Sequence, residues 1–201
     1  MKNRLVIIGA GGHGKVCAEI AKLNGYRTIL FLDDDPSKEN VVSGATKEYT
    51  RYLGDSDFFV ALGNNALRKR FLEQIERSGG AIATLIHPAS TVSPDSEIGE
   101  GSVVMAGVVI NPGAAVGRGA IINTASSLDH DNVIGDYAHI GVGAHLAGTV
   151  HIGEETFIGA GSTIINNITV CENCIVGAGA VVIRKIEKKG TYVGVPTRKI
   201  K

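Results

Sequence analysis

From Val92 to Val182 an aliphatic residue recurs at every sixth position without a break, through Ile98, Val104, Ile110, Val116, Ile122, Leu128 and onward. Four places after each, the residue is mostly small, as at Ser96, Ser102, Ala114, Ala120, Ser126, Ala138, Ala144, Ser162, Cys174 and Ala180. A glycine often follows the aliphatic, as at Gly99, Gly117, Gly135, Gly153, Gly159 and Gly177, where a tight corner tolerates no Cβ. Neither a 3.6-residue helix nor an alternating strand produces this pattern. A six-residue period with one deep aliphatic per repeat predicts a parallel β-helix in which each hexapeptide gives a short strand and a corner. The 27 glycines, crowded into the second half with few prolines, serve that repeat better than they would serve disorder.

The first part of the chain follows different rules. Arg4–Ile8, Thr28–Leu32 and Phe58–Leu62 are β-branched or aromatic runs, and residues 15–24 and 66–77 carry apolar residues at helical spacing, ending near Gly25 and Gly79. This predicts a small βαβ unit with a parallel sheet, completed by one more strand at 81–86. The stretch "GAGGHGKV" after the first run fits the fingerprint Gly9-x-Gly11-x-x-Gly14, with Asp33 and Asp34 about twenty residues on, where a ribose-binding carboxylate belongs. It also nearly fits a P-loop, but Val16 stands where that motif needs a Ser or Thr for Mg²⁺. With no second mononucleotide half, a mononucleotide or sugar nucleotide suits the unit better than full NAD. The boundary falls at His87-Pro88, giving an expected Rossmann-like nucleotide-binding domain over 1–87 and a β-helix domain with a C-terminal tail over 88–201.

Composition narrows the partners. Twenty basic and twenty acidic residues, 5% aromatics and no basic block disfavour nucleic acid. The N-terminal apolar run of about five residues is too short for a signal segment or membrane span, so the expected location is cytoplasmic, without membrane insertion. Cys17, Cys171 and Cys174 agree with a reducing compartment. Cys171-Glu172-Asn173-Cys174 is a CxxC pair open to a redox or metal reading, but Cys174 falls on a small inward position of the repeat, and packing is the preferred reading.

The hexads resemble the left-handed parallel β-helix of hexapeptide acyltransferases, a triangular prism with three hexads per coil. With "GAGGHGK", "FLDDD", "ALGNN", "NTASSLDHDNVIGDYAHIGVGAHLAG" and "GVPTRKI", the chain is similar over nearly all its length to the acetyltransferases of the bacillosamine pathway. Those enzymes N-acetylate a UDP-linked 4-amino-4,6-dideoxy sugar with acetyl-CoA. Sialic-acid O-acetyltransferases and N-acetyltransferases of GDP-perosamine share much of the pattern. The resemblance implies that Gly11, Gly12 and His13 cradle the acceptor's diphosphate, that Asp33 and Asp34 meet its base or ribose, and that Gly63 lets the nucleotide lie close to the backbone. It further implies that His139, Gly148, Ala160 and Ala178 line the acetyl-CoA groove of a homotrimer. The tail at Val195-Pro196 then approaches the adenine end, and Asn123 positions the acceptor. An NAD-dependent oxidoreductase would explain the glycine loop and leave the hexads idle.

The hexad Leu128-Asp129-His130-Asp131-Asn132-Val133 keeps its aliphatic but places three titratable residues in a row. An amine attacking a thioester must lose a proton, and a neutral imidazole is the natural base. A carboxylate on the far ring nitrogen would fix the tautomer and stabilise the imidazolium. The family motif puts its catalytic histidine at His130. The family has Glu where Asp131 stands, so Asp131 and Asp129 both remain candidates for the orienting carboxylate. His139, His145 and His151 look like a metal cluster by composition, but consecutive hexads fall on different faces, and a thioester needs no metal to activate it.

Overall fold

The computed structural model describes residues 3–201. They divide into two compact units, one ending at His87 and one running from Pro88 to Lys201.

In the first unit, β1 (Arg4–Ile8), β2 (Thr28–Leu32), β3 (Asp57–Val60) and β4 (Ala81–Ile82) form a parallel sheet in the order β2-β1-β3-β4. The central strands β1 and β3 are near-continuous apolar runs, and Leu5 to Ile8 and Phe58 to Val60 are buried, as suits strands covered on both faces. The strand expected at 81–86 is broken in two, with Leu85–Ile86 separate from β4. After β1 and β3 come α1 (Gly12–Leu23) and α2 (Asn65–Arg77). α1 begins before its apolar periodicity does, because its first turn is small or polar, and α2 begins one residue before the expected start. Both end alike: Gly25 and Gly79 take positive φ, and pairs of backbone bonds, Gly25 to Lys22 with Tyr26 to Ala21 and Gly79 to Glu76 with Gly80 to Ile75, close the last turns. The chain crosses over between β1 and β3, so the crevice beyond their carboxyl ends is the topological switch point where such sheets take ligands.

The second unit is a parallel β-helix of two-residue strands on three faces. The first face runs from Thr91–Val92 through Val109–Ile110, Ser127–Leu128, His145–Leu146 and Thr163–Ile164 to Val181–Val182. The second runs from Glu97–Ile98 to Thr169–Val170, and the third includes Val103–Val104, Ile121–Ile122, His139–Ile140, Phe157–Ile158 and Ile175–Val176. Strand partners are eighteen residues apart, as in Ser127 beside His145, which is three hexads per coil. The sixfold aliphatics point inward, and from Val104 to Val182 all are buried. Hydroxyls at the small inward position are satisfied locally: Ser102 Oγ donates to Gly117 O (2.8 Å) and accepts from Ala120 N (2.9 Å).

The glycines at the corners divide into two kinds. Gly135, just after its aliphatic, needs no unusual φ; a Cβ there would stand 2.6 Å from Glu154 N of the next coil. The left-handed backbone lies two residues later, recurring every sixth residue from Gly101 through Gly113, Ala125, Asp131, Tyr137 and Thr149 to Gly179. Coil stacking, and not the turn itself, therefore selects the glycine that follows the aliphatic.

Candidate active site

His130 and Asp131 occupy the edge between the first and second faces, after Ser127–Leu128 and before Val133–Ile134. His130 Nδ1 lies 2.8 Å from Asp131 Oδ2. Asp131 takes φ +59°, the ordinary left-handed position of this corner, so its shorter side chain reaches the imidazole without special strain. Asp129 does different work. Its Oδ1 accepts from Asn111 Nδ2 (2.9 Å) and from the backbone N–H of His130 (2.8 Å). The geometry thus gives the ring to Asp131 and the corner's backbone to Asp129.

The hydrogen bond that His130 donates to Asp131 raises the His130 pKa above its ordinary value; partial desolvation opposes this, and the charges of Asp129 and Asp131 add to it. The bonds from Asn111 and the His130 amide hold Asp129 below the usual carboxylate range. Asn132, wholly buried at the small inward position, anchors the corner from inside: its Nδ2 donates to Asp129 O (2.7 Å), and its Oδ1 accepts from Val150 N (2.8 Å).

The same edge continues through neighbouring coils. Asp131 N donates to Pro112 O, and Thr149 N to His130 O. Gly113 lies on one side and Gly148 on the other. A Cβ at Gly113 would collide with Asp131 Oδ1, and one at Gly148 would stand 2.6 Å from His130 Cε1 and closer still to Nε2. His130 and Asp131 therefore lie in a slot that only glycine leaves open on both sides.

Asn123 and His139 come together elsewhere. Asn123 Nδ2 lies 3.1 Å from His139 Nε2, Asn123 Oδ1 accepts from Thr124 N, and the His139 ring meets Phe157 edge-on at 4.9 Å between centroids. Both sit on the third face or at its end, and Ala160 and Ala178 stack exposed along that same third-to-first edge. The residues expected to line the acetyl-CoA groove are therefore split, with Gly148 beside His130 and His139, Ala160 and Ala178 along another edge. His139, His145 and His151 begin strands on the third, first and second faces respectively. Among the described residues, no group of three or more His, Cys, Asp or Glu is arranged to hold a metal ion.

In the first unit, the loop after β1 leads into α1 with no side chain capping the helix, so its first amides are open to an anion. The glycines have separate tasks. Gly9, at φ +105°, and Gly14 permit close packing, because a Cβ at Gly9 would be 2.8 Å from Ala61 O and one at Gly14 3.1 Å from Gly9 C. Gly11, Gly12 and Gly63 face open space and leave the approach clear. His13 sits in the first turn, its Nε2 3.7 Å from Cys17 Sγ. Burial, with a contribution from the Arg68 charge, lowers its pKa to about 4, so the ring is neutral near pH 7.

Asp33 is turned into the protein. It accepts from Ala10 N (2.7 Å), Asp35 N (2.9 Å) and Lys38 Nζ (2.9 Å), and so clamps the glycine loop. Burial alone would raise its pKa, but these three bonds outweigh it and hold Asp33 low. Asp34 accepts from Thr46 N and Oγ1. With Asp35 and Glu39, both aspartates border a cleft of about 440 Å³. Arg68, fully buried on α2, donates to Leu62 O and Asn65 Oδ1 (both 2.8 Å) and fixes the turn that carries Gly63.

Comparison with known proteins agrees with this architecture. A family model described as the PglD N-terminal domain matches residues 4–75, and one of bacterial transferase hexapeptide repeats matches 133–166 and 149–184. The acetyltransferase domain of PglB from Neisseria gonorrhoeae FA1090, solved in complex with acetyl coenzyme A, is 41% identical, with a TM-score of 0.93 and 100% of each chain covered. PerB from Caulobacter crescentus, solved with CoA and GDP-perosamine, is 39% identical, with a TM-score of 0.92 over 98% of this chain and 97% of that one. The curated UDP-N-acetylbacillosamine N-acetyltransferase of Bacillus subtilis (strain 168) is 38% identical over an alignment of 114 residues that covers 53% of this chain and 52% of the relative. The match thus spans about half of that relative's length. The chain belongs to the PglD-type hexapeptide-repeat sugar acetyltransferases.

Proposed function

We propose that the protein transfers the acetyl group of acetyl-CoA to the 4-amino group of a UDP-linked 4-amino-4,6-dideoxy sugar of the bacillosamine type. The observation that carries this reading is the 2.8 Å contact between His130 Nδ1 and Asp131 Oδ2 in its glycine-walled slot. Asp131 keeps the proton on Nδ1, which leaves the Nε2 lone pair free for the acceptor amine. As the amine nitrogen bonds to the thioester carbon, its proton passes to Nε2. The tetrahedral intermediate then collapses, and the CoA thiolate leaves with that proton. The first unit binds the nucleotide of the acceptor through the α1 N-terminus, Gly63 and the Asp33–Asp34 cleft.

The active unit is a homotrimer. The expected acetyl-CoA residues lie on two different edges of one prism, and a cyclic assembly lets one protomer's His130 edge face a neighbour's His139 edge. Exposed Val109, Val133 and Ile165 on the outer surface favour such packing. No helix among the described residues is long and apolar enough to cross a membrane, and we place the reaction in the cytoplasm, where acetyl-CoA is available.

The likeness to PerB, solved with GDP-perosamine, supports a second acceptor reading, a GDP-linked 4-amino sugar. Initial rates with acetyl-CoA and matched UDP- and GDP-linked 4-amino sugars, followed by mass spectrometry of the product, decide between them. The UDP-sugar is expected to give the higher kcat/KM and an amide product. A higher value for the GDP-sugar would select the second reading, and an ester product would overturn both. In the same assay His130→Ala is expected to lower kcat by about two to four orders of magnitude.

A further inference from the structure

The CxxC pair is left unused by this mechanism. Cys171 and Cys174 sit at the ends of one corner, their Sγ atoms 3.3 Å apart, and neither is in a disulfide. Cys174 fills the small inward position and is buried, in keeping with its packing role. Cys171 replaces the glycine that usually follows the aliphatic and is half-buried. At Gly99 and Gly135, on the same face, that position is closed by the next coil, where a Cβ would stand 2.5 Å from Arg118 N and 2.6 Å from Glu154 N. Here the chain overhead is the irregular start of the tail, with Cys171 N donating to Ile186 O (2.8 Å). Cys174 Sγ points toward Lys188 O at 3.8 Å, and the Tyr192 hydroxyl donates to the same carbonyl (2.7 Å). The corner is thus the dock on which the C-terminal tail rests.

We propose that Cys171 and Cys174 form a reversible disulfide at this dock on reaction with a hydroperoxide. The Cys171 sulfur attacks the peroxide oxygen, giving a sulfenic acid and releasing an alcohol, or water from hydrogen peroxide. The adjacent Cys174 sulfur then displaces the sulfenic oxygen, which leaves as water with the Cys174 proton. Two thiols are oxidised, one peroxide is reduced, and an S–S bond replaces two S–H bonds. Cys171 is the first to react because it alone of the pair is reachable from solvent, whereas burial pushes the Cys174 thiol pKa up and keeps it protonated until its partner is activated. Cys17, deep in the first unit with its thiol pushed up to about 12, is the internal control.

The test treats the full-length chain with hydrogen peroxide, blocks remaining thiols with N-ethylmaleimide under denaturing conditions, and reads the intact mass and peptide map. The expected result is loss of two hydrogens, one maleimide on Cys17, and return to three maleimides after dithiothreitol. In Cys174→Ser, Cys171 should instead be trapped by dimedone as the sulfenic acid. Three maleimides after peroxide treatment, over-oxidation of Cys171 in the unsubstituted chain, or a bridge to Cys17 or a second chain would each overturn the proposal.

Discussion

Gly148→Ala is the sharpest perturbation of the base. Gly148 is not among the residues with positive φ, so alanine meets no backbone penalty. The three atoms nearest its new methyl all belong to the His130 ring, at 2.6 Å from Cε1 and 3.1 Å from Cδ2, with Nε2 closer still. Ordinary contact requires the ring to retreat by about 1 Å, and misplacement on that scale near a reacting atom can cost about 10²-fold. The ring is 58% exposed and can swing outward, so stability should hardly change, but the swing strains its bond to Asp131. We expect kcat to fall about a hundredfold, equivalent to about 2.7 kcal/mol of barrier, with melting temperature preserved. Steady-state kinetics with varied acetyl-CoA provide the assay. If the loss appears wholly in the acetyl-CoA KM, Gly148 serves the cofactor and not the base, and an unchanged kcat refutes the slot.

Asp131→Asn removes the carboxylate whose charged hydrogen bond raises the His130 pKa. Because the base works deprotonated, the acid limb of the kcat/KM profile should move to lower pH even as the plateau falls, and an unmoved limb would separate Asp131 from the base. His13 is neutral when folded and protonates more readily when unfolded, so its contribution is complete above the unfolded value of 6.5 and is lost as pH falls toward about 4. The full loss is about 3 kcal/mol, and His13→Gln should flatten that part of the stability profile in urea melts from pH 7 to 4.

The β-helix was legible because its signal is repetitive: each hexad must bury one aliphatic, and a single phase error would expose it. The helix ends at Gly25 and Gly79 were legible for a similar reason, since they are set by local backbone geometry. The support of the site was not. Asn132 reads as an anomaly at a small position, and only the coil above, through Val150 N, shows it to be an anchor. Asn111 lies eighteen residues from Asp129, a separation that acquires meaning once three hexads close a coil. Arg68 shares a helical face with Leu72 and Ile75, and its charge at an apolar position was the available clue. At Asp33 the spacing pointed to a ligand contact, and what it could not reveal is that the carboxylate also clamps the chain's own glycine loop through Ala10 N and Lys38 Nζ.

The exposure of the dyad makes a demand on assembly. His130 and Asp131 have side chains 58% and 64% exposed, and a general base open to bulk water gains little electrostatic leverage and leaves a thioester open to hydrolysis. The proposed trimer supplies a second surface to cover the slot during turnover, and apolar ground for it lies at Val133, 40% exposed and two residues beyond Asp131 on the second face. Replacing Val133 with Asp puts a charge on that ground without touching the His130–Asp131 contact. The variant should elute and scatter as a monomer, keep the circular dichroism of the β-helix, and lose at least tenfold in kcat at sub-micromolar concentration, recovering as concentration rises and the covered site re-forms. A stable monomer with undiminished kcat would show that one protomer closes its own site, and the division of the acetyl-CoA residues over two edges would then need another explanation.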